Sequence, residues 1–399
     1  MSEGTIAWLL VSSALVLFMT PGLALFYGGM VRSKNVLNML MKNFFTISIV
    51  TVIWTVIGYT MAFGPDLGGG LLGGFDFFGL SGVEGDSLLF MLFQLMFAII
   101  TPALISGAVA ERMKFSGWVL FTTLWALIVY PIVAHWGFAA DGLLFAWGVR
   151  DFAGGLVVHI NAGIAALALV FVLGPRRGFG TEAMRPHSLP LTLIGTGILW
   201  FGWFGFNAGS ALAADGIAIN AFVTTQIAAA VAALAWVVAE SLRNGKPTTL
   251  GAASGAVAGL VAITPGAGFV TPMSAIAIGL IAGFVCFWAV SLKYRFRYDD
   301  SLDVVGVHLA GGIVGSILVG VLAQNSVNGF VPDGLLFGGV GFFVKQVVAV
   351  LAVMAFTFIA SYILARIVKA ITGLRVDETA ETEGLDISLH EERGYVLAE

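Results

Sequence analysis

Pro247 to Leu292 contains no Asp, Glu, Lys or Arg. A run of that length exceeds the ~20 residues that cross the hydrocarbon core of a bilayer, and inside hydrocarbon every backbone N–H and C=O has to find its partner within the chain. The run is continuously apolar rather than alternating, which selects helices over barrel strands. Thr264-Pro265-Gly266-Ala267-Gly268 interrupts it by turn chemistry, so it reads as two spans, 250–264 and 273–292. The same windowing over 399 residues, 59% hydrophobic and 11% charged, gives spans at 5–31, 36–63, 87–110, 116–136, 154–174, 189–208, 218–240, 305–323 and 341–368. The expected fold is an all-α polytopic membrane protein of eleven transmembrane helices.

Charge placement says more than charge sum. Arg32, Lys34, Arg112, Lys114, Arg176, Arg177, Arg185, Arg243, Lys246, Lys293, Arg295, Arg297, Lys369, Arg375 and Arg393 fall on one side of the eleven-span count, and Arg150 and Lys345 fall opposite. The positive-inside rule then puts the N-terminus outside and the C-terminus in the cytoplasm of a cell with this protein in its inner membrane. Met1 to Gly4 lacks a basic n-region, and the apolar stretch from Thr5 to Val31 is longer than a signal-peptide core, so it reads as a retained first span. A net charge of −4 with no basic stripe excludes a nucleic-acid partner. The single cysteine, Cys286, excludes an internal disulfide and a cysteine metal site. No phosphate loop, Ser-His-Asp spacing or metal cluster is present in the sequence, so neither an enzyme nor a bound cofactor is expected.

Two ionisable side chains stand deep inside apolar spans, His159 in the fifth and His308 in the tenth. Polar groups at bilayer depth mark candidate functional sites, because they are tolerated only where they face protein or a cavity. Asp151 precedes His159 by eight residues, and Asp303 precedes His308 by five. Both acids suit helix N-caps. The echo suggests an inverted repeat, with 1–174 and 189–323 as two five-helix halves, 341–368 as the eleventh helix and 369–399 as a cytoplasmic tail. Depth counting at ~1.5 Å per residue leaves the two histidines apart unless both helix starts dip below the surface. Two neutral imidazoles can share a proton and still address a small polar guest, whereas a bare cation would be strongly penalised there.

Phe26-Tyr27-Gly-Gly-Met-Val-Arg32-Ser-Lys34-Asn35, Gly107-Ala-Val-Ala-Glu111-Arg112, Asp151 to Asn161, Trp203-Phe-Gly-Phe206-Asn207-Ala-Gly-Ser210 and Asp303-Val-Val-Gly-Val-His308 resemble the Amt/Mep/Rh ammonium transporters. His159 and Ser210 look like the Amt branch, and no departure from its pattern is evident in these motifs. The resemblance runs from the first span to Gly373-Leu-Arg-Val376. It implies a homotrimer with one pore per protomer, and ammonium, ammonia or methylammonium as cargo. It implies an outer ammonium site at Phe97, Trp136 and Ser210 with Phe93 nearby, and Asp151 as the carboxylate needed beside it. Phe97 and Phe206 would form a phenyl gate, His159 and His308 a twin-histidine lining, and Trp203 a lower pore wall.

The elementary chemistry agrees with those roles. A cation over an aromatic face gains ~0.5 to 2 kcal/mol, a hydroxyl accepts its hydrogen bonds, and ammonium, unlike potassium, can shed a proton. His135 and His187 read as ordinary span-end or loop residues. The acidic tail from Asp377 to Glu399 reads from composition as a solvated end, while the resemblance implies that Gly373 to Asp386 packs on the cytoplasmic face, where PII-type signal proteins dock on related transporters. Three other readings stand beside this one: a b-type haem cytochrome ligated by the two histidines, a passive channel for small neutral molecules, and an ammonium sensor without flux.

Overall fold

The computed structural model describes residues 1–395, so of the tail read as 369–399 only residues 396–399 lie outside the described residues. The long apolar segments all form helices: α1 (Glu3–Met30), α2 (Ser33–Phe63), α3 (Gly85–Val109), α4 (Phe115–Trp147), α5 (Gly155–Leu173), α6 (Leu189–Gly209), α7 (Gly216–Asn244), α8 (Thr249–Ile263), α9 (Pro272–Phe296), α10 (Val305–Leu322) and α11 (Val340–Ile371). Ten of these are long and apolar enough to cross a membrane. The span read at 250–264 is α8, whose 15 residues reach ~22 Å, short of the ~30 Å hydrocarbon core. It is sunk within the bundle, with nearly every side chain buried. Among the described residues there are no strands, only isolated bridges between Asp66 and Gly73 and between Met113 and Arg375.

Helix starts follow local chemistry. Ser2, Ser188, Asp215, Thr248 and Thr271 each accept a hydrogen bond from a first-turn N–H of the helix that follows, which pairs a donor the helix cannot pair itself. Helix contact is governed by glycine. In α1 and α6 a Cβ on Gly22 would meet Ile198, one on Gly195 would meet the backbone of Phe26, and one on Gly205 would meet Leu15 and Ser12. In α8 and α9, Gly255, Gly259, Gly279 and Gly283 press on the backbone or Cβ atoms of α7. Lipid tails are as apolar as leucine, so close backbone approach, not burial from water, holds such helices together.

The loops and the tail divide between two faces. On one face Glu111 pairs with Arg32 at 2.8 Å and Arg176 at 3.2 Å, and Arg176 pairs with Asp299 at 2.9 Å. Despite burial, Arg176 and Arg32 hold the Glu111 carboxyl below its usual range. The tail is seated on this basic face rather than solvated: Val376 N donates to Arg112 O, and α12 (Glu378–Glu383) and α13 (Leu385–His390) follow. The Asp386 carboxylate accepts from Leu37 N at 3.0 Å and Asn38 N at 2.8 Å, capping α2. Composition alone misjudged this segment, because its acids find basic loops that are distant in sequence. The opposite face carries the N-terminus, the loop 64–84 and Asp141, and Asp66 N donates to the Asp141 carboxylate at 3.1 Å.

Candidate functional site

Asp151 is 9% exposed and sits one turn before α5. Its Oδ1 accepts from Gly154 N at 2.9 Å and Gly155 N at 2.6 Å, and its Oδ2 from Leu156 N at 2.7 Å and Val157 N at 3.1 Å. Gly154, at φ +118°, makes the tight entry that an L side chain resists. Gathering four donors on one carboxylate lets the helix start below the surface with its first turn satisfied. That first turn, Gly155–Ile160, is a wide π-type turn, and it carries His159. Single π-type turns recur at functional sites because they re-aim a side chain without ending the helix.

The same device is repeated at α10, with one change from the sequence reading. The acid that satisfies the helix start is Asp300, whose Oδ2 accepts from Val305 N at 2.7 Å. Asp303 instead adopts a left-handed backbone at φ 63° and pairs with Lys293 Nζ at 2.6 Å. The π-type turn Val305–Leu309 carries His308. Asp300 precedes His308 by eight residues, the spacing of Asp151 to His159, so the mismatch with Asp303 disappears. Burial pushes the Asp300 carboxyl up to about 6.

The two helices cross at these turns. A Cβ on Gly163 would lie 2.5 Å from Leu309 N, and one on Gly312 would lie 2.9 Å from Ile160 Cγ1 and 3.1 Å from Ile160 N. Each glycine stands four residues after its own histidine and against the residue after the other one. This near-contact brings His159 Nδ1 within 3.3 Å of His308 Nδ1, with the rings edge to edge and within 23° of parallel. The depth conflict is thereby resolved: both helix starts dip. Whichever Nδ1 donates, its own Nε2 is left an acceptor and the partner ring's Nε2 a donor. His159 Nε2 has no protein partner. An iron between two imidazoles needs ~2 Å to each ligating nitrogen, so Nδ1 atoms already 3.3 Å apart and hydrogen-bonded to each other leave no place for a haem iron between them. Among the described residues no three His, Cys, Asp or Glu side chains cluster as a metal site.

His159, His308, Trp203 and Phe206 line a constriction of about 10 Å³, room for a single small molecule. Trp203 stacks on His159 with centroids 5.4 Å apart and donates Nε1–H to Thr264 Oγ1 at 2.9 Å. Toward the N-terminal face lies a chamber of about 380 Å³, lined by Phe93, Gln94, Phe97, Phe138, Arg150, Asp151 and Ser210 among others. The Phe97 and Phe206 rings, 4.4 Å apart, divide chamber from constriction. Ser210 Oγ donates to Phe206 O at 2.8 Å, which leaves its lone pairs for a guest. Toward the basic face a pocket of about 10 Å³ is lined by Tyr27, Ser254, Asp303 and His308.

Trp136 is not in the chamber. Its ring packs on Phe356 with centroids 4.9 Å apart, and its Nε1–H is donated to Leu71 O at 3.0 Å. Phe138, two residues on, lines the chamber instead. At ~100° per residue, side chains two apart on a helix face away from each other, so the neighbouring aromatic could not stand in. His135 is also more than a span-end residue, since it joins Ala62 O at 2.8 Å to Asp66 Oδ1 at 3.3 Å and so ties down the loop that Trp136 holds. Gln94, 7% exposed and with no partner for Oε1, was missed entirely. Its helical phase with Phe90 and Phe97, four residues before and three after, was the available signal.

The sequence model of the Ammonium Transporter Family matches residues 7–395. An ammonium transporter of Mycobacterium tuberculosis is 50% identical over 99% of this chain and 91% of its own length. Ammonium transporter Amt1 of Archaeoglobus fulgidus is 49% identical over 99% of this chain and all of its own. Among solved structures, Candida albicans Mep2 superposes with a TM-score of 0.92 at 31% identity, covering all of this chain and 94% of that one.

Proposed function

The chain belongs to the ammonium transporter family, and from that premise we propose that it recruits ammonium in the chamber at the N-terminal face, deprotonates it at the phenyl partition, and conducts ammonia past His159 and His308. The observation that carries this is the histidine pair, hydrogen-bonded at 3.3 Å inside a constriction between two cavities. The cation lies over Phe97 and Phe138, with Ser210 Oγ and Gln94 Oε1 as acceptors. Phe93 closes the aromatic wall. Asp151 spends its lone pairs on four backbone N–H groups, so it orders the chamber floor and supplies a long-range negative charge rather than a ligand.

A dry passage that admits one small molecule penalises an ion far more than a neutral amine. The proton is passed separately, from ring to ring, because the pair offers one donor and one acceptor at its outer nitrogens. Potassium has no proton to give and stops at the partition. The halves 1–174 and 189–323 form an inverted repeat, for which the equal Asp-to-His spacings and the reciprocal glycines are the support. The protein sits in the cytoplasmic membrane with its N-terminus outside, assembles as a homotrimer, and offers the basic face with its seated tail to a PII-type signal protein.

Reconstituted in proteoliposomes, the native protein is expected to take up labelled methylammonium in competition with ammonium, with current in step with flux. H159L and H308L are expected to lose current or to admit potassium. Uptake and selectivity unchanged in both variants would remove the histidine relay. No flux in the native protein would favour a sensor.

A further inference from the structure

The chamber proposed to attract a cation contains a fixed cation. Arg150 lines it beside Asp151. Its Nε donates to Phe330 O at 3.1 Å, and its Nη1 donates to Phe145 O at 3.0 Å and Val149 O at 2.8 Å. The guanidinium is sandwiched between two rings, 4.8 Å from the Phe145 centroid and 4.5 Å from that of Phe330. Its backbone is held as well, with N–H donated to Gln346 Oε1 at 2.9 Å and C=O accepting from Gln346 Nε2 at 2.9 Å. Among the described residues no carboxylate pairs with it within 4 Å. Asp151 is turned to its four N–H donors.

A structural pin would not require a charge here. Three carbonyls and two aromatic faces orient the group, yet none of them neutralises it, so its field extends into the chamber. The face around it also carries Lys345, whose Nζ lies 5.8 Å from the Trp147 ring, but it is mostly acidic, with Asp66, Asp76, Glu84, Asp86, Asp141, Asp215 and Asp333 in its loops. Those acids attract every cation, and divalent or polyvalent cations most. A positive charge lining the mouth acts in the opposite sense and scales with the charge of the visitor.

We propose that Arg150 is a charge filter for the outer site: it weakens ammonium recruitment modestly and rejects multivalent cations in proportion to their charge. The inference rests on the chamber being the recruitment site. A unit charge several ångströms away in a partly hydrated chamber changes monovalent affinity about two- to five-fold. For a divalent ion the same field acts twice, so the factor is squared to about four- to twenty-five-fold.

The test compares native protein, R150M, R150Q and R150K in proteoliposomes, reading the half-saturating methylammonium concentration and the inhibition by Mg²⁺ and spermidine. At ~10 mM ionic strength, where the Debye length is ~30 Å, R150M and R150Q are expected to saturate at two- to five-fold lower methylammonium and to be inhibited far more strongly by both multivalent cations. At ~1 M choline chloride, where it is ~3 Å, the differences shrink. R150K, which keeps the charge but loses the planar fork, stays close to native. R150Q guards against R150M failing to fold. Unchanged saturation and inhibition in a transporting R150Q overturns the proposal, and so does R150K behaving like R150M. If the native protein shows no saturable uptake competed by ammonium, the recruitment reading itself fails, which is a separate result.

Discussion

The crossing of α5 and α10 makes a graded prediction. In G163A the new Cβ would start 2.5 Å from Leu309 N and 2.7 Å from its Cα. Both are backbone atoms one residue from His308, so no rotamer change can relieve the clash. Restoring ordinary contact at 3.4 Å requires the helices to part by about 0.9 Å at that point. If the parting is carried to the rings, the 3.3 Å Nδ1 to Nδ1 separation grows to roughly 4 Å, beyond a hydrogen bond. Overpacking of this kind costs ~1 to 3 kcal/mol of stability, and losing one hydrogen bond worth ~1 to 1.5 kcal/mol in the relay slows transport about ten-fold. G312A should be milder, because its nearest neighbours, Ile160 Cγ1 at 2.9 Å and Ile160 N at 3.1 Å, lie farther away. G197A is the control, with nothing within 4 Å of its Cβ. Labelled methylammonium uptake and thermal unfolding in detergent should rank G163A as most impaired, then G312A, then G197A at or above native stability. Native flux and stability in G163A would refute the account of how the histidines meet.

Three further outcomes follow from the site. D151A leaves four backbone N–H groups at the start of α5 without an acceptor, at ~1 to 3 kcal/mol each if water does not replace it, so flux and melting temperature should both collapse; D151N, which keeps one acceptor oxygen, should recover part of the stability but not the cation affinity. Asp300 has its carboxyl raised from 3.8 to about 6 in the fold, so the folded state binds its proton more tightly than the unfolded chain does. Its contribution is fully present below about pH 4 and is lost as pH rises through about 6, a change on the order of 3 kcal/mol; detergent melts of D300N should lack that part of the native pH dependence, and parallel curves would contradict it. F138W places a stronger quadrupole in the chamber wall and should lower the half-saturating methylammonium concentration about two- to five-fold with little change in maximal rate, whereas W136F should affect stability more than affinity.

Much of this protein was legible without coordinates. Apolar runs too long for a soluble chain, broken at Thr264-Pro265-Gly266, dictate membrane helices because hydrocarbon offers no partner to a free backbone group. The two-sided distribution of Lys and Arg matched the faces on which the loops meet, and Phe97, Phe206, Trp203 and Ser210 were named by resemblance alone; each lines the chamber or the constriction. Other features depended on through-space relations. Trp136 and Phe138 differ only in helical phase, and which one faces the chamber is set by the loop that captures the indole at Leu71. Asp300 rather than Asp303 serves α10 because a left-handed turn lies between them, and a backbone angle of that sort in an aspartate leaves no mark in sequence. The tail docked, against its composition, on basic loops hundreds of residues away. Amino-acid order alone determined that the chain is a bundle of membrane helices with two histidines at depth. Only the tertiary structure decided that those histidines touch, because their meeting depends on two glycines allowing two backbones to approach where any larger side chain would hold them apart.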